Sequence, residues 1–189
     1  MKKTIGLTAG TVSLSPYSTL WESRYRAESR RLTRYAAGAR YLLEHIGSTA
    51  IHGIDAKPII DIAMQLPSLN QLPRWITKLE AAGYSYKGEY GLAGRHFFTR
   101  GTPVTHHLHL VAKNSEHWTN WIIFRDYLRT YPVEAKKYNQ LKTNLARKYS
   151  HNRDAYTKAK TPLVKQLLEK ALKCNRFMLT VHRCKGDAA

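Results

Sequence analysis

A chain of 189 residues has room for one ordinary domain, or for a small α/β core with a helical extension, and not for two independent cores. Its 43% apolar content and twelve tyrosines exclude global disorder, and no apolar run approaches the length of a bilayer span. With 31 Lys and Arg against 13 Asp and Glu the net charge is +18, so the surface attracts polyanions such as RNA, nucleotides or acidic proteins.

The excess is uneven, net +7 over residues 1–124 and net +11 over 125–189. The opening MKKTIGLTAGTVSLS has Lys2 and Lys3 before weakly apolar residues, as a signal peptide does. Its apolar stretch is too short and too rich in Thr, Ser and Gly for export, and a cytoplasmic location is expected. Cys174 and Cys184 stand outside any metal-ligand spacing and are expected as free thiols.

After a turn at Ser15-Pro16, Leu20, Trp21, Tyr25, Leu32 and Tyr35 recur at mostly helical spacings. They predict an amphipathic helix from Ser18 to about Ala37 whose other face carries Arg24, Arg30, Arg31 and Arg34. ARYLLEHIG reads as a short strand delivering a Gly-Ser turn, and PIIDIAMQL as a buried strand ended by Pro67. LNQLPRWITKLEAAG supplies a helix with Leu72, Trp75, Ile76 and Leu79 on one face and Gly83 as its C-terminal cap. YSYKGEY, RHFFTRG and THHLHLVAK follow as three half-buried strands with hairpin-like connections. From Ser115 the pattern is helical: SEHWTNWIIFRDYLRTY, then VEAKKYNQLKTNLARKY after Pro132, then NRDAYTKAKTPLVKQLLEKAL, where Pro162 predicts a kink or two helices.

The order predicts an α/β fold of the α+β type, a small mixed sheet flanked by helices with a helical C-terminal subdomain. Its parts are expected at 1–114 for the α/β core and 115–173 for the helices, with 174–189 a flexible tail.

Three features carry chemistry. Gly47, Ser48 and Thr49 follow a strand and offer free N–H groups and two hydroxyls to a phosphate, although many tight turns are Gly-Ser. Lys57-Pro58 stands at the mouth of the next strand, where Asp61 occupies a position expected to be apolar. Asp61 is either paired as a structural ion pair or holds a divalent cation through oxygen. His107 and His109 alternate onto one strand face, as metal or phosphate partners of Asp61 or as paired cleft histidines. Arg95, Arg100 and Lys113 flank the same sheet. Arg125 and Arg129, four apart on a helix, either clamp a phosphate or join helix to sheet through carboxylates. Tyr156 and Lys160 repeat that spacing, as a stacking surface with a cation or as a solvated face.

EHIGSTAIHGIDAKPIIDI, with GRHFF, HHLHLV, FRDYLR and a terminal Tyr-to-Lys helix, resembles the GrpB family of bacterial proteins, of nucleotidyltransferase-superfamily fold, from about Trp21 to about Leu168. The resemblance implies a nucleotide or other phosphate ligand at Gly47, Ser48, Thr49, Lys57, Arg95, Arg125 and Lys160. It also implies Mg²⁺ on Asp61 and a catalytic role for Asp61, His107 and His109 in nucleotidyl transfer to an acceptor. Active nucleotidyltransferases usually carry a second acid two residues after the first and a third on a later strand. This chain has Ala63 at the second place, and His107 and His109 on the later strand. The alternative is a basic RNA-binding, polyanion-binding or accessory protein that has kept the fold and lost the chemistry.

Overall fold

The computed structural model describes residues 5–174. Five strands form one sheet: β1 (Leu42–Ile46), β2 (Ile60–Leu66), β3 (Tyr84–Tyr86), β4 (His96–Arg100) and β5 (His106–Ala112). Their order across the sheet is β1-β2-β5-β4-β3, every pair antiparallel except the central β2 and β5.

Side chains alternate across this sheet, and each face has its own cover. Ile60, Ile62, Met64 and Leu66 of β2, Phe98 of β4 and Leu108 and Leu110 of β5 turn to a first face. There they pack with Trp21 and Leu32 of α1 (Leu20–Tyr35) and with Trp75 and Leu79 of α2 (Leu72–Ala81). The opposite face carries Ile46, Ala63 and Val111 and is met by Trp118 and Ile122 of α3 (Glu116–Thr130). Because β2 is covered on both sides, its sequence reads as a nearly continuous apolar run, and Asp61 stands out in it.

Behind α3, α4 (Pro132–Lys148) and α5 (Arg153–Lys173) build a second core. Tyr138, Ala135, Leu167 and Ala171 enclose Ile51 and Ile54 of the segment leading to β2. The backbone of that segment is pinned from α4: Asn139 accepts from the Asp55 N–H at 2.8 Å, and Lys142, 1% exposed, donates to the Asp55 carbonyl. The N-terminal segment is drawn in as well, Val12 N–H donating to the Ser150 carbonyl.

The predicted helices and strands are found with shifts of a few residues at their ends. Gly83 follows α2 at φ 77° and donates to the Glu80 carbonyl, the left-handed stop expected of it. Three expectations need correction. α5 runs as one helix through Pro162, so the ring is accommodated without dividing the element, its neighbour Thr161 bonding back to the Thr157 carbonyl. Tyr156 is 1% exposed and belongs to the interior, where a solvated face was one of the two readings. Arg31 is folded over Glu28 of its own helix and leaves the polar face. Cys174 is a free thiol; Cys184 and the tail lie outside the described residues, Cys174 apart.

Candidate functional site

β1, β2 and β5 bring the polar residues of the second face together. In register, Asp61 lies opposite His107, and Ala63 opposite His109, so the two imidazoles and the carboxylate project from adjacent positions of two neighbouring strands. His107 donates from Nδ1 to Asp61 Oδ1 at 2.8 Å, and His109 Nε2 stands 3.8 Å from the same oxygen. One donor atom from each of the three residues lies within 4.8 Å of the other two.

Gly47 closes one side of the centre. It adopts φ 70°, and a Cβ there would sit 2.5 Å from Asp61 Oδ2, so the turn approaches the carboxylate as closely as only glycine allows. A single 3-10 turn, Ser48–Ala50, follows. Thr49 is buried and its hydroxyl is bonded to His45 Nε2 at 3.0 Å, so of the predicted Gly-Ser-Thr trio Ser48 has the side chain left near the turn.

Aromatic rings hold the imidazoles in place. Phe97 lies 5.1 Å, ring centre to ring centre, from both His107 and His109, and Trp121 lies 5.1 Å from His109 on its other flank. His109 Nδ1 is buried with no hydrogen-bond partner among the described residues. On the far side of His107, Arg153 at the start of α5 donates from Nη2 to Nε2 at 3.2 Å. That bond fixes the tautomer: with Nε2 accepting, the ring proton is on Nδ1, facing Asp61.

Burial alone would raise the Asp61 carboxyl, but the hydrogen bond from His107 and the nearness and charge of both imidazoles hold it well below the usual range. Burial lowers both imidazoles, and the charges of Arg153 and Lys57 push His107 further down. At neutral pH the centre is therefore an ionised carboxylate receiving N–H from a neutral imidazole.

Cations gather beside it. Lys57 is lowered to about 7, by burial first and then by the charges of Arg153 and Lys160, with Asp61 pulling the other way. Lys142 is lowered to about 7 by burial and by Lys160. Lys160 lies over the Tyr156 ring at 5.2 Å. Lys160 thus acts on both lysines and Arg153 on Lys57, with Asp61 the nearby acid on Lys57.

Other predicted residues are engaged elsewhere. Arg125 donates to Glu44 at 2.5 Å, to Asp126 at 2.7 Å and to the His45 carbonyl at 2.9 Å, so its guanidinium joins α3 to β1 through carboxylates instead of clamping phosphate. Arg129 donates to the Ala50 carbonyl. Arg95 is bonded to the carbonyls of Glu89 and Tyr90 over the Phe97 ring, and reaches the centre only through its charge on His109. Arg100 turns to the opposite face, onto Glu28. Arg153 is the residue that sequence reasoning missed; it lies 46 positions from His107, and no local pattern ties the two together.

The donor set does not suit Mg²⁺, which takes near-octahedral oxygen ligands and holds its waters. Asp61 offers the carboxylate here, Ala63 offers nothing, and Glu44 on the same sheet face is taken by Arg125.

A cavity of about 450 Å³ opens elsewhere, between the end of α1 and the start of α2. Arg40, Arg74, Lys78, Asn70, Gln71 and Trp75 are among its lining residues; no acid is, and it shares no residue with the Asp61 centre.

The family described as GrpB protein matches residues 11–170. A UPF0157 protein of Pseudomonas aeruginosa is 35% identical over 170 residues, covering 87% of this chain and 69% of its own. The glutamate-rich protein GrpB of Alkalihalophilus pseudofirmus is 34% identical over 170 residues, covering 87% of this chain and 98% of its own. The crystal structure of the conserved protein GrpB from Enterococcus faecalis superposes with a TM-score of 0.79 at 31% identity, over 85% of this chain and 98% of that one. A poly(U) polymerase aligns over 68% of this chain at 14% identity and a TM-score of 0.46, a likeness too slight to carry an argument. No helix among the described residues is long and apolar enough to cross a membrane.

Proposed function

The chain belongs to the GrpB family, and from the charge around its Asp61 centre we propose that it binds a phosphate-bearing small molecule, a nucleotide in the first instance, beside the Gly47-Ser48 turn. The observation that carries this reading is that Lys57, beside Asp61, shares its surroundings with Lys160 and with Arg153, the residue that bonds the far side of His107. Like charges crowded at a partly buried place are unfavourable, and a polyanion relieves them; phosphate oxygens accept from all three side chains and return Lys57 to its protonated state.

Nucleotidyl transfer is the further step that the family resemblance implies. With Ala63 at the place of the second acid and imidazoles on the later strand, the chain lacks the carboxylates of a two-metal clamp. Binding is therefore the reading this chemistry supports.

A thermal-melt panel of ATP, GTP, CTP and UTP, each with and without divalent ion and with tripolyphosphate as control, tests it by linkage. A rise in melting temperature that is lost in Lys57→Ala and Arg153→Ala is expected. No shift with any of the five compounds, or shifts indifferent to both substitutions, removes the reading.

A second reading, binding of RNA or another polyanion, draws on the acid-free cavity with Arg40, Arg74 and Lys78. It predicts affinity for a single-stranded RNA that falls steeply with salt and weakens in Arg74→Ala. RNA binding that is absent at low salt removes it.

A further inference from the structure

We propose that Asp61, His107 and His109 form a binding site for one late first-row divalent ion of the Zn²⁺ type, in preference to Mg²⁺. The inference deepens the reading above, since it concerns the same centre. It stands on different observations, the identity and convergence of three donors.

Two imidazole nitrogens and one carboxylate oxygen already lie within 4.8 Å of one another. An ion at the ordinary bond length of about 2.1 Å from each is reached by small side-chain rotations. The strands supply the convergence: alternation puts His107 and His109 on one face of β5, and the parallel register sets Asp61 opposite the first of them. Their rings are confined by Phe97 and Trp121. Ala63, opposite His109, contributes only a methyl and adds no oxygen.

Imidazole is a borderline donor that favours Zn²⁺, Fe²⁺, Ni²⁺ or Cu²⁺ over hard Mg²⁺. Three protein ligands also leave at least one position open, the pattern of ions that meet a water or a ligand oxygen rather than of closed structural sites. Arg153 stands on the far side of His107 and Lys57 lies near Asp61, so a phosphate oxygen is a ligand that this surrounding would bring to the ion.

Arg153 makes the site conditional. Its bond to His107 Nε2 keeps the ring proton on Nδ1, the nitrogen that faces Asp61. An ion takes the Nδ1 lone pair, the proton moves to Nε2, and an N–H there no longer accepts from a guanidinium, so Arg153 must release the ring. Arg153 and the ion compete for His107, and a bound phosphate that draws Arg153 away favours the ion.

The test uses the full chain freed of metal with a chelator, titrated with Zn²⁺ by calorimetry in the presence of millimolar Mg²⁺, with the bound metal counted afterwards. One Zn²⁺ per chain is expected, with affinity falling at least about 100-fold in Asp61→Asn and in His109→Ala. Arg153→Leu is expected to bind Zn²⁺ several-fold more tightly. His109→Ala, at a ring whose Nδ1 has no partner among the described residues, keeps the test open if Asp61→Asn fails to fold. Zn²⁺ binding that is absent, displaced by Mg²⁺, or equal in both variants and the parent overturns the proposal. Phosphate-induced melting shifts without Zn²⁺ binding would leave the phosphate reading standing alone, and Zn²⁺ binding without such shifts would leave the ion site standing alone.

Discussion

Glu28 and Asp61 are two acids lying against opposite faces of one sheet, and their surroundings differ in kind. Glu28 is 4% exposed and accepts four hydrogen bonds, two from Arg31, one from Arg100 and one from the Tyr84 hydroxyl. Asp61 is 27% exposed, receives one imidazole N–H, and has a second imidazole standing off at 3.8 Å. The first carboxylate is saturated by groups whose charge does not depend on pH; the second meets groups that trade protons and leave capacity unused. A saturated buried pair is a structural joint. An unsaturated one, with cations collected beside it, is the form expected of a place that receives something.

Breaking each in turn separates them. Glu28→Ala leaves Arg31 and Arg100 without their carboxylate and should cost about 3 kcal/mol in urea unfolding, with the response to tripolyphosphate unchanged in a preparation that remains folded. Gly47→Ala combines a forbidden φ with a collision on Asp61, and a loss of about 2 kcal/mol is expected, together with loss of the ligand response. If the mutant melts like the parent, the close approach of turn and carboxylate is not real. Asp61→Asn should change stability by less than about 1 kcal/mol, since an amide fills the same space and still accepts from His107. A loss as large as that of Glu28→Ala would make Asp61 a structural joint after all.

Stability also depends on pH. Lys57 and Lys142 lose their protons near 7 in the folded chain and near 10.5 when unfolded, so the unfolded chain holds more protons between those values and stability rises with pH across that window. His106, lowered to about 4 by burial, acts in the same sense: stability fully present above 6.5 is lost as pH falls towards 4. A phosphate ligand that reprotonates Lys57 should give a larger melting shift at pH 6.5 than at pH 9. A shift independent of pH would separate Lys57 from the ligand.

Local pattern revealed much of this. The alternation of HHLHL put His107 and His109 on one face, and the apolar run around Asp61 marked it as a residue needing a partner. What local pattern could not supply was which distant group answers which. Arg125 and Arg153 look alike on their helices, yet the first is tied to Glu44 of β1, 81 positions away, and the second reaches His107. Glu28 finds Arg100 across 72 residues, a pairing made by packing α1 onto the sheet and invisible to any helical period. Pro162 does not divide the helix, where buried Tyr156 and Leu167 hold the segments on either side in the interior.

The clamp on Asp55 has a bearing on how the parts of the chain depend on one another. A connecting loop ordinarily gives its peptide groups to water, and so can be lengthened or re-routed at little cost. Here the N–H and carbonyl of one loop residue are both claimed by α4, two positions before Lys57. A sheet without its last three helices would lose both the cover of its second face and the course of the chain that delivers the lysine, so neither the sheet nor those helices stand as a working whole alone.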